Sequence, residues 1–111
     1  MVTVRRLGGA TVVGMHGDLD IVSSAELTAA LSTAAEGSDP RVIASLEECT
    51  FCDSSGLAAL ATAKKRLGAR FKVVVPKAGN VRHVFDITEL TDYLSLCETV
   101  EEAVAAYEST E

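Results

Sequence analysis

The chain has no tryptophan, two tyrosines and three phenylalanines in 111 residues. So few rings leave no visible stacking platform for bases or sugars. Its three cysteines, Cys49, Cys52 and Cys97, are odd in number and too few for a disulfide framework. Basic residues are also scarce. Ten Lys and Arg stand against sixteen Asp and Glu, a net charge of −6. That balance argues against direct nucleic-acid binding, which needs a basic face, and against adhesion to anionic membranes. No apolar run approaches the length of a membrane span. The opening "MVTVRRLGGATVV" has no long apolar stretch after its basic pair and does not read as a signal peptide. A cytoplasmic protein is expected.

What is present suffices for a core. Hydrophobic residues make up 48% and charged residues 23%, a globular balance in a length that suits one domain. A single domain over 1–111, with a core of about 2–106, is expected, without repeats, linkers or low-complexity segments.

"VTVRRL" and "ATVVGMH" are β-rich and flank Gly8-Gly9, a hairpin signal. "GDLD" reads as a strand break. Ser23 and Glu26 have capping-box spacing, and Leu27, Ala30, Leu31 and Ala34 share one helical face. Gly37 and Pro40 close that helix. "RVIASL" reads as a buried strand and "ECTFCDSSG" as its exit loop. A helix follows over Ser54 to Leu67, buried through Leu57, Leu60, Ala61 and Leu67, with Lys64, Lys65 and Arg66 in its last turn and Gly68 as its stop. "FKVVV" is a strand, "NVRHVFDI" a helix and "YLSL" a short strand. "TVEEAVAAYE" is a last helix with a Thr99/Glu102 capping box and an inner face of Val100, Ala103, Val104 and Tyr107. Strands alternating with helices predict an α/β fold: a small mixed sheet of about four to five strands, opened by the hairpin and packed by about four helices.

Asp53-Ser54-Ser55-Gly56, at the start of the second long helix, allows three readings. One of the first three residues can simply cap the helix. A cap does not ask for Gly56, however, which costs roughly 1 kcal/mol against Ala in a helix and points to a close approach to this backbone. A serine nucleophile would need a base, and nothing places His16 or His83 near Ser54. The stretch is also not a G-x-S-x-G elbow. A phosphorylation site is the third reading. A phosphate there meets the positive end of the helix dipole and free N–H groups, and adds about −1.5 to −2 charges at one surface point.

Cys49-Thr50-Phe51-Cys52 is formally C-x-x-C, but in an extended stretch the two Cα atoms lie roughly 10 Å apart and the thiols on opposite faces. Structural cysteines are expected. No metal ligands cluster, so neither metal nor cofactor is expected. The Lys64–Arg66 run, the Arg82-His83 pair and the tail "YESTE" read as solvated ends, and Asp18 and Asp20 as a polar turn.

"VIASLEECTFCDSSGLAAL" resembles the phosphorylatable segment of anti-sigma factor antagonists, single-domain bacterial proteins of the STAS class. "GMHGDLDIVSSAEL" resembles their G-E-L-D segment and "HVFDITELTDYLSL" their "FDITGL" segment, in the same order, so the resemblance spans about Val2 to Ala106. It implies a STAS fold and a regulatory protein rather than an enzyme. It also implies phosphorylation of Ser54 by an anti-sigma factor that is itself a serine kinase, reversed by a PP2C-type phosphatase. The unphosphorylated form would bind the kinase and release a sigma factor. Asp20, Asp53, Ser54, Ser55 and Gly56 would form the partner-binding face. Ser45 stands where the family often has Asp or Asn, Glu89 where it has glycine, and Asp18 where it has Glu; the first two bear on loop geometry. The alternative is a constitutive STAS scaffold in which Ser54 is only a cap.

Overall fold

The computed structural model describes residues 1–108. The elements are β1 (Val2–Leu7), β2 (Ala10–Leu19), α1 (Ile21–Ala34), β3 (Val42–Cys52), α2 (Ser54–Leu67), a short 3-10 turn (Gly68–Arg70), β4 (Phe71–Val74), α3 (Asn80–Ile87), β5 (Leu96–Cys97) and α4 (Val100–Glu108). They form one five-stranded sheet in the order β1-β2-β3-β4-β5. β1 and β2 are antiparallel, and the remaining pairs are parallel. This is the mixed sheet with four α-helices that the alternation of patterns predicts.

Period-two alternation divides the strands between two cores. Val13, Met15, Val42, Ala44, Leu46, Phe71 and Val73 pack with Leu27 and Leu31 of α1, Leu60 and Leu67 of α2, and Val81 and Phe85 of α3. Ala10, Val12, Ile43, Val74 and Cys97 pack with Val100, Ala103 and Tyr107 of α4. The buried Tyr107 hydroxyl, 3.0 Å from the Val42 carbonyl, anchors α4 to the sheet. The hairpin turns through Gly8 and Gly9 at φ +57° and +81°. A Cβ on Gly8 would stand 2.5 Å from Val104 Cγ1, so the turn also lets α4 approach.

Several boundaries differ from the sequence reading. β2 does not break at "GDLD" but runs to Leu19, because β3 continues beside it to Cys52 instead of ending in a loop. Two register shifts, at Gly14/His16 and Gly17/Asp18, add residues to β3. The second turns Cys49 and Cys52 toward the same core, so the strict alternation that would put them on opposite faces does not hold. Both remain free thiols. α1 starts at Ile21, capped by Asp20, not at a Ser23/Glu26 box. α2 buries Ala63 and Gly56 more fully than Leu57 and Ala61. The last strand is Leu96–Cys97, two residues at the end of the expected "YLSL" and just beyond it. At Glu89 the backbone takes φ +61°, the left-handed conformation that suits glycine. A non-glycine residue in that conformation costs roughly 1–2 kcal/mol.

Candidate functional site

The register of β2 and β3 builds the site. Leu19 and Cys52 are paired across the two parallel strands, and Asp20 and Asp53 follow them directly. The Asp53 amide donates to the Leu19 carbonyl at 3.1 Å, tying the two strand exits together. Two helices therefore begin side by side at one pole of the molecule, each with an aspartate at its N-cap.

The caps are close copies. Asp20 Oδ1 accepts from the N–H groups of Val22 and Ser23 at 3.1 and 3.0 Å. The Asp20 N–H donates to Ser23 Oγ at 2.9 Å, which closes a capping box. Asp53 Oδ1 accepts from the N–H groups of Ser55 and Gly56 at 2.9 and 3.2 Å, and from the Ser55 hydroxyl at 2.6 Å. These bonds stabilise the ionised carboxylates. The Ser23 N–H, first among its partners, holds Asp20 below the usual carboxylate range. The Ser55 hydroxyl does the same for Asp53, while the neighbouring Asp20 charge opposes it.

Ser54 stands at the first position of α2, exposed. Its hydroxyl has no hydrogen-bond partner among the described residues. Ser55 is half-buried and committed to the cap. So the capping that sequence reasoning left open among three residues falls to Asp53, with Ser55 in support, and Ser54 has no part in it. Asp53 also fills two of the N–H groups that the sequence reading left open to a phosphate.

Gly56 is buried, and its lack of a side chain has an internal reason. A Cβ there would lie 2.5 Å from Leu19 Cγ and 3.1 Å from Cys52 Sγ. The close approach inferred from this glycine is the approach of α2 to the strand exits. Asp18 sits behind the site and accepts from the Thr50 hydroxyl at 2.9 Å. Ser45, at the end of the β3–β4 pairing, is buried and donates to Glu47 at 3.3 Å.

The surroundings are apolar in a way the sequence pattern did not flag. Ile21 and Val22, in the first turn of α1, are 76% and 78% exposed, and Phe51, near the end of β3 and paired with Asp18, is 48% exposed. The other two phenylalanines, Phe71 and Phe85, are fully buried. One signal was available, since Val22 lies outside the stripe that Leu27 and Leu31 define. Phe51 carried none: alternation gives it the parity of buried Ile43, and only the packing shows that this end of β3 is uncovered.

Other chemistry is absent from this pole. Burial pushes the Cys52 thiol up to about 12 and raises Cys49 as well, so neither supplies a thiolate at neutral pH. His16 pairs with Thr3, and His83 lies exposed on α3. Among the described residues no three His, Cys, Asp or Glu side chains are grouped to hold a metal ion. Three hollows of about 110, 290 and 460 Å³ mark the surface, and none of the three is lined by Ser54. No described helix is long and apolar enough to cross a membrane.

Comparison with known proteins agrees with this architecture. An anti-sigma factor antagonist from Mycobacterium paratuberculosis superposes with a TM-score of 0.86 at 26% identity, covering 98% of this chain and 94% of that one. A STAS-domain anti-sigma-factor antagonist from Planctomyces limnophilus gives 0.80 at 20% identity, covering 95% of each chain. The unphosphorylated anti-sigma factor antagonist SpoIIAA gives 0.70 at 20% identity over the full length of both, a likeness of fold. No curated protein sequence matches. The STAS domain family model matches residues 1–103, and the chain belongs to the STAS domain family.

Proposed function

We propose that this protein is an anti-sigma factor antagonist whose docking to an anti-sigma factor is switched by phosphorylation of Ser54. The observation that carries the reading is the contrast at the twin helix starts. The Ser23 and Ser55 hydroxyls are engaged in the two caps, whereas the Ser54 hydroxyl has no hydrogen-bond partner among the described residues and stands exposed at a pole that also exposes Ile21, Val22 and Phe51. An exposed apolar cluster of this kind suits a protein partner rather than a small molecule. Asp20, Asp53, Ser54 and Ser55 line the docking face, and buried Gly56 sets the closeness of α2 to it. The partner is a serine kinase that transfers phosphate to Ser54, and a PP2C-type phosphatase removes it. The protein acts in the cytoplasm by binding and catalyses no reaction.

The mechanism follows from charge. A phosphate adds about −2 beside two carboxylates already held ionised. Asp53 has taken two of the α2 N–H groups, so the new charge stays at the surface and meets the partner. Covering it would desolvate a dianion against an apolar contact, which releases the complex. FDITGL-like residues and the sheet are untouched, so the fold itself need not change.

The test is binding and intact mass with the serine-kinase anti-sigma factors of the source organism. With ATP, one of them adds a single phosphate to the 42–64 tryptic peptide, and the modified protein loses at least tenfold in affinity. Ser54→Ala stays folded, takes no phosphate and binds with or without ATP. A kinase that binds wild type and Ser54→Asp equally would sink the switch and leave the constitutive scaffold.

A further inference from the structure

Two adjacent serines stand at the start of α2, and only one is the proposed acceptor. We propose that Asp53 is the residue that chooses between them, by locking the Ser55 hydroxyl into the helix cap and leaving Ser54 as the sole usable phosphate acceptor. The proposal rests on the functional reading above and names the positioning residue within it.

The geometry is asymmetric. Ser55 Oγ lies 2.6 Å from Asp53 Oδ1 and donates its proton there. The same oxygen of Asp53 takes the Ser55 and Gly56 N–H groups, so backbone and side chain hold the carboxylate in place from three directions. Transfer forms a bond between the serine Oγ and the γ-phosphorus of ATP. The bond from that phosphorus to the bridging oxygen breaks, ADP leaves with its electrons, and the hydroxyl proton passes to a base of the kinase. For Ser55, this would bring an anionic phosphoryl group against a carboxylate 2.6 Å from the attacking oxygen. It would also break the cap bond and expose a half-buried side chain. Ser54 meets none of these obstacles. Its hydroxyl has no partner among the described residues, and its side chain is exposed.

The α1 start shows the same lock on different residues. There Ser23 Oγ donates to the Asp18 carbonyl at 2.7 Å and accepts from the Asp20 N–H, so this hydroxyl is consumed by its cap too. The positions equivalent to Ser54 and Ser55 are Ile21 and Val22. Of Ser23, Ser54 and Ser55, two hydroxyls are held within the caps, and that of Ser54 has no partner among the described residues.

The test locates the phosphate by peptide fragmentation after incubation with ATP and the kinase that modifies wild type. Wild type should carry it on Ser54, with less than a tenth on Ser55. Ser54→Ala should take none. Adding Asp53→Ala to Ser54→Ala should open Ser55, raising its phosphorylation at least tenfold. Adding Asp53→Asn, whose carbonyl still accepts from the Ser55 hydroxyl and both N–H groups, should largely restore the silence. A merely structural role of Asp53 would lower modification in both variants alike. A kinase-independent readout accompanies it. In free wild type the Ser55 hydroxyl proton should exchange slowly enough for detection by NMR at low temperature, and more slowly than in Asp53→Ala. Phosphorylation of Ser55 in Ser54→Ala at the wild-type rate would overturn the proposal, as would fast exchange of the Ser55 hydroxyl. Failure of any kinase to modify wild type would instead remove the functional reading, and the choice between serines with it.

Discussion

The starts of α1 and α2 are nearly the same piece of structure put to different uses. Each follows one of two paired parallel strands, and each is capped by an aspartate that accepts two backbone N–H groups. After the aspartate come Ile21-Val22-Ser23 in α1 and Ser54-Ser55-Gly56 in α2. The first turn of α1 offers apolar surface, and that of α2 offers hydroxyls over a backbone pressed against the core. The comparison teaches that the cap is common chemistry and carries no function by itself. What distinguishes the two helices is the residue that the cap leaves unused.

The largest effect expected from breaking this division is on binding. Replacing Ile21 and Val22 by serine should leave stability within about 0.5 kcal/mol, since both side chains are exposed. The apolar area they offer a partner is worth about 3 kcal/mol if covered, or about 100-fold in Kd. Titration calorimetry against the proposed anti-sigma factor partner checks this, and an unchanged Kd would exclude α1 from the interface.

Gly56→Ala is the next largest. A bare helix would gain about 1 kcal/mol from alanine, yet the added carbon meets Leu19 at 2.5 Å and Cys52 at 3.1 Å. A net loss of about 2 kcal/mol in urea unfolding is expected, because overpacking a core costs roughly 1–3 kcal/mol. The corresponding change in α1, Ser23→Ala, meets no such wall and should cost only its cap contribution, about 1 kcal/mol.

The two caps should also fail together in acid. Both aspartates have folded-state pKa values below the ordinary 3.8. A lowered folded value means that their stabilisation is complete above about pH 4 and is lost as pH falls from there through the lowered values. Thermal unfolding between pH 7 and 2 should show this loss. In Asp20→Asn with Asp53→Asn the acid dependence should flatten while the helices persist. An unchanged slope would mean that other carboxylates dominate.

The smallest expected effect lies away from the pole and sharpens the comparison as a control. Glu89→Gly relieves a left-handed backbone and should stabilise by about 0.5–1 kcal/mol, less the added entropy of the unfolded chain. Partner affinity should not move.

Much of the fold was legible in the chain because the signals are local. The Gly8-Gly9 turn, the 54–67 helix with its glycine stop, and the 80–87 helix all follow from periodicity and breakers within a dozen residues. The aspartates, the serine pair and the glycine could be named as candidates from the sequence, and the structure brings them to one pole. The misses share a cause. "GDLD" looks like a loop because it is polar, and "ECTFC" because it runs straight into the turn-forming Asp-Ser-Ser-Gly. They become strand only by pairing with each other across some thirty residues of intervening sequence. The register shifts in that pairing put Cys49 and Cys52 on one side, against simple alternation.

The sequence by itself determined the class of the fold, the helix start at Ser54 and the set of residues from which a site had to be drawn. Propensity, capping chemistry and hydrophobic period act over a few neighbours, and a single chain displays them openly. Tertiary structure alone decided that Asp20 stands beside Asp53, that Gly56 serves the core, and that of two adjacent serines one is locked and one is free. Those outcomes depend on strand register and on a hydrogen-bond distance of 2.6 Å. Both are set by the balance of many packed contacts rather than by any local run of residues.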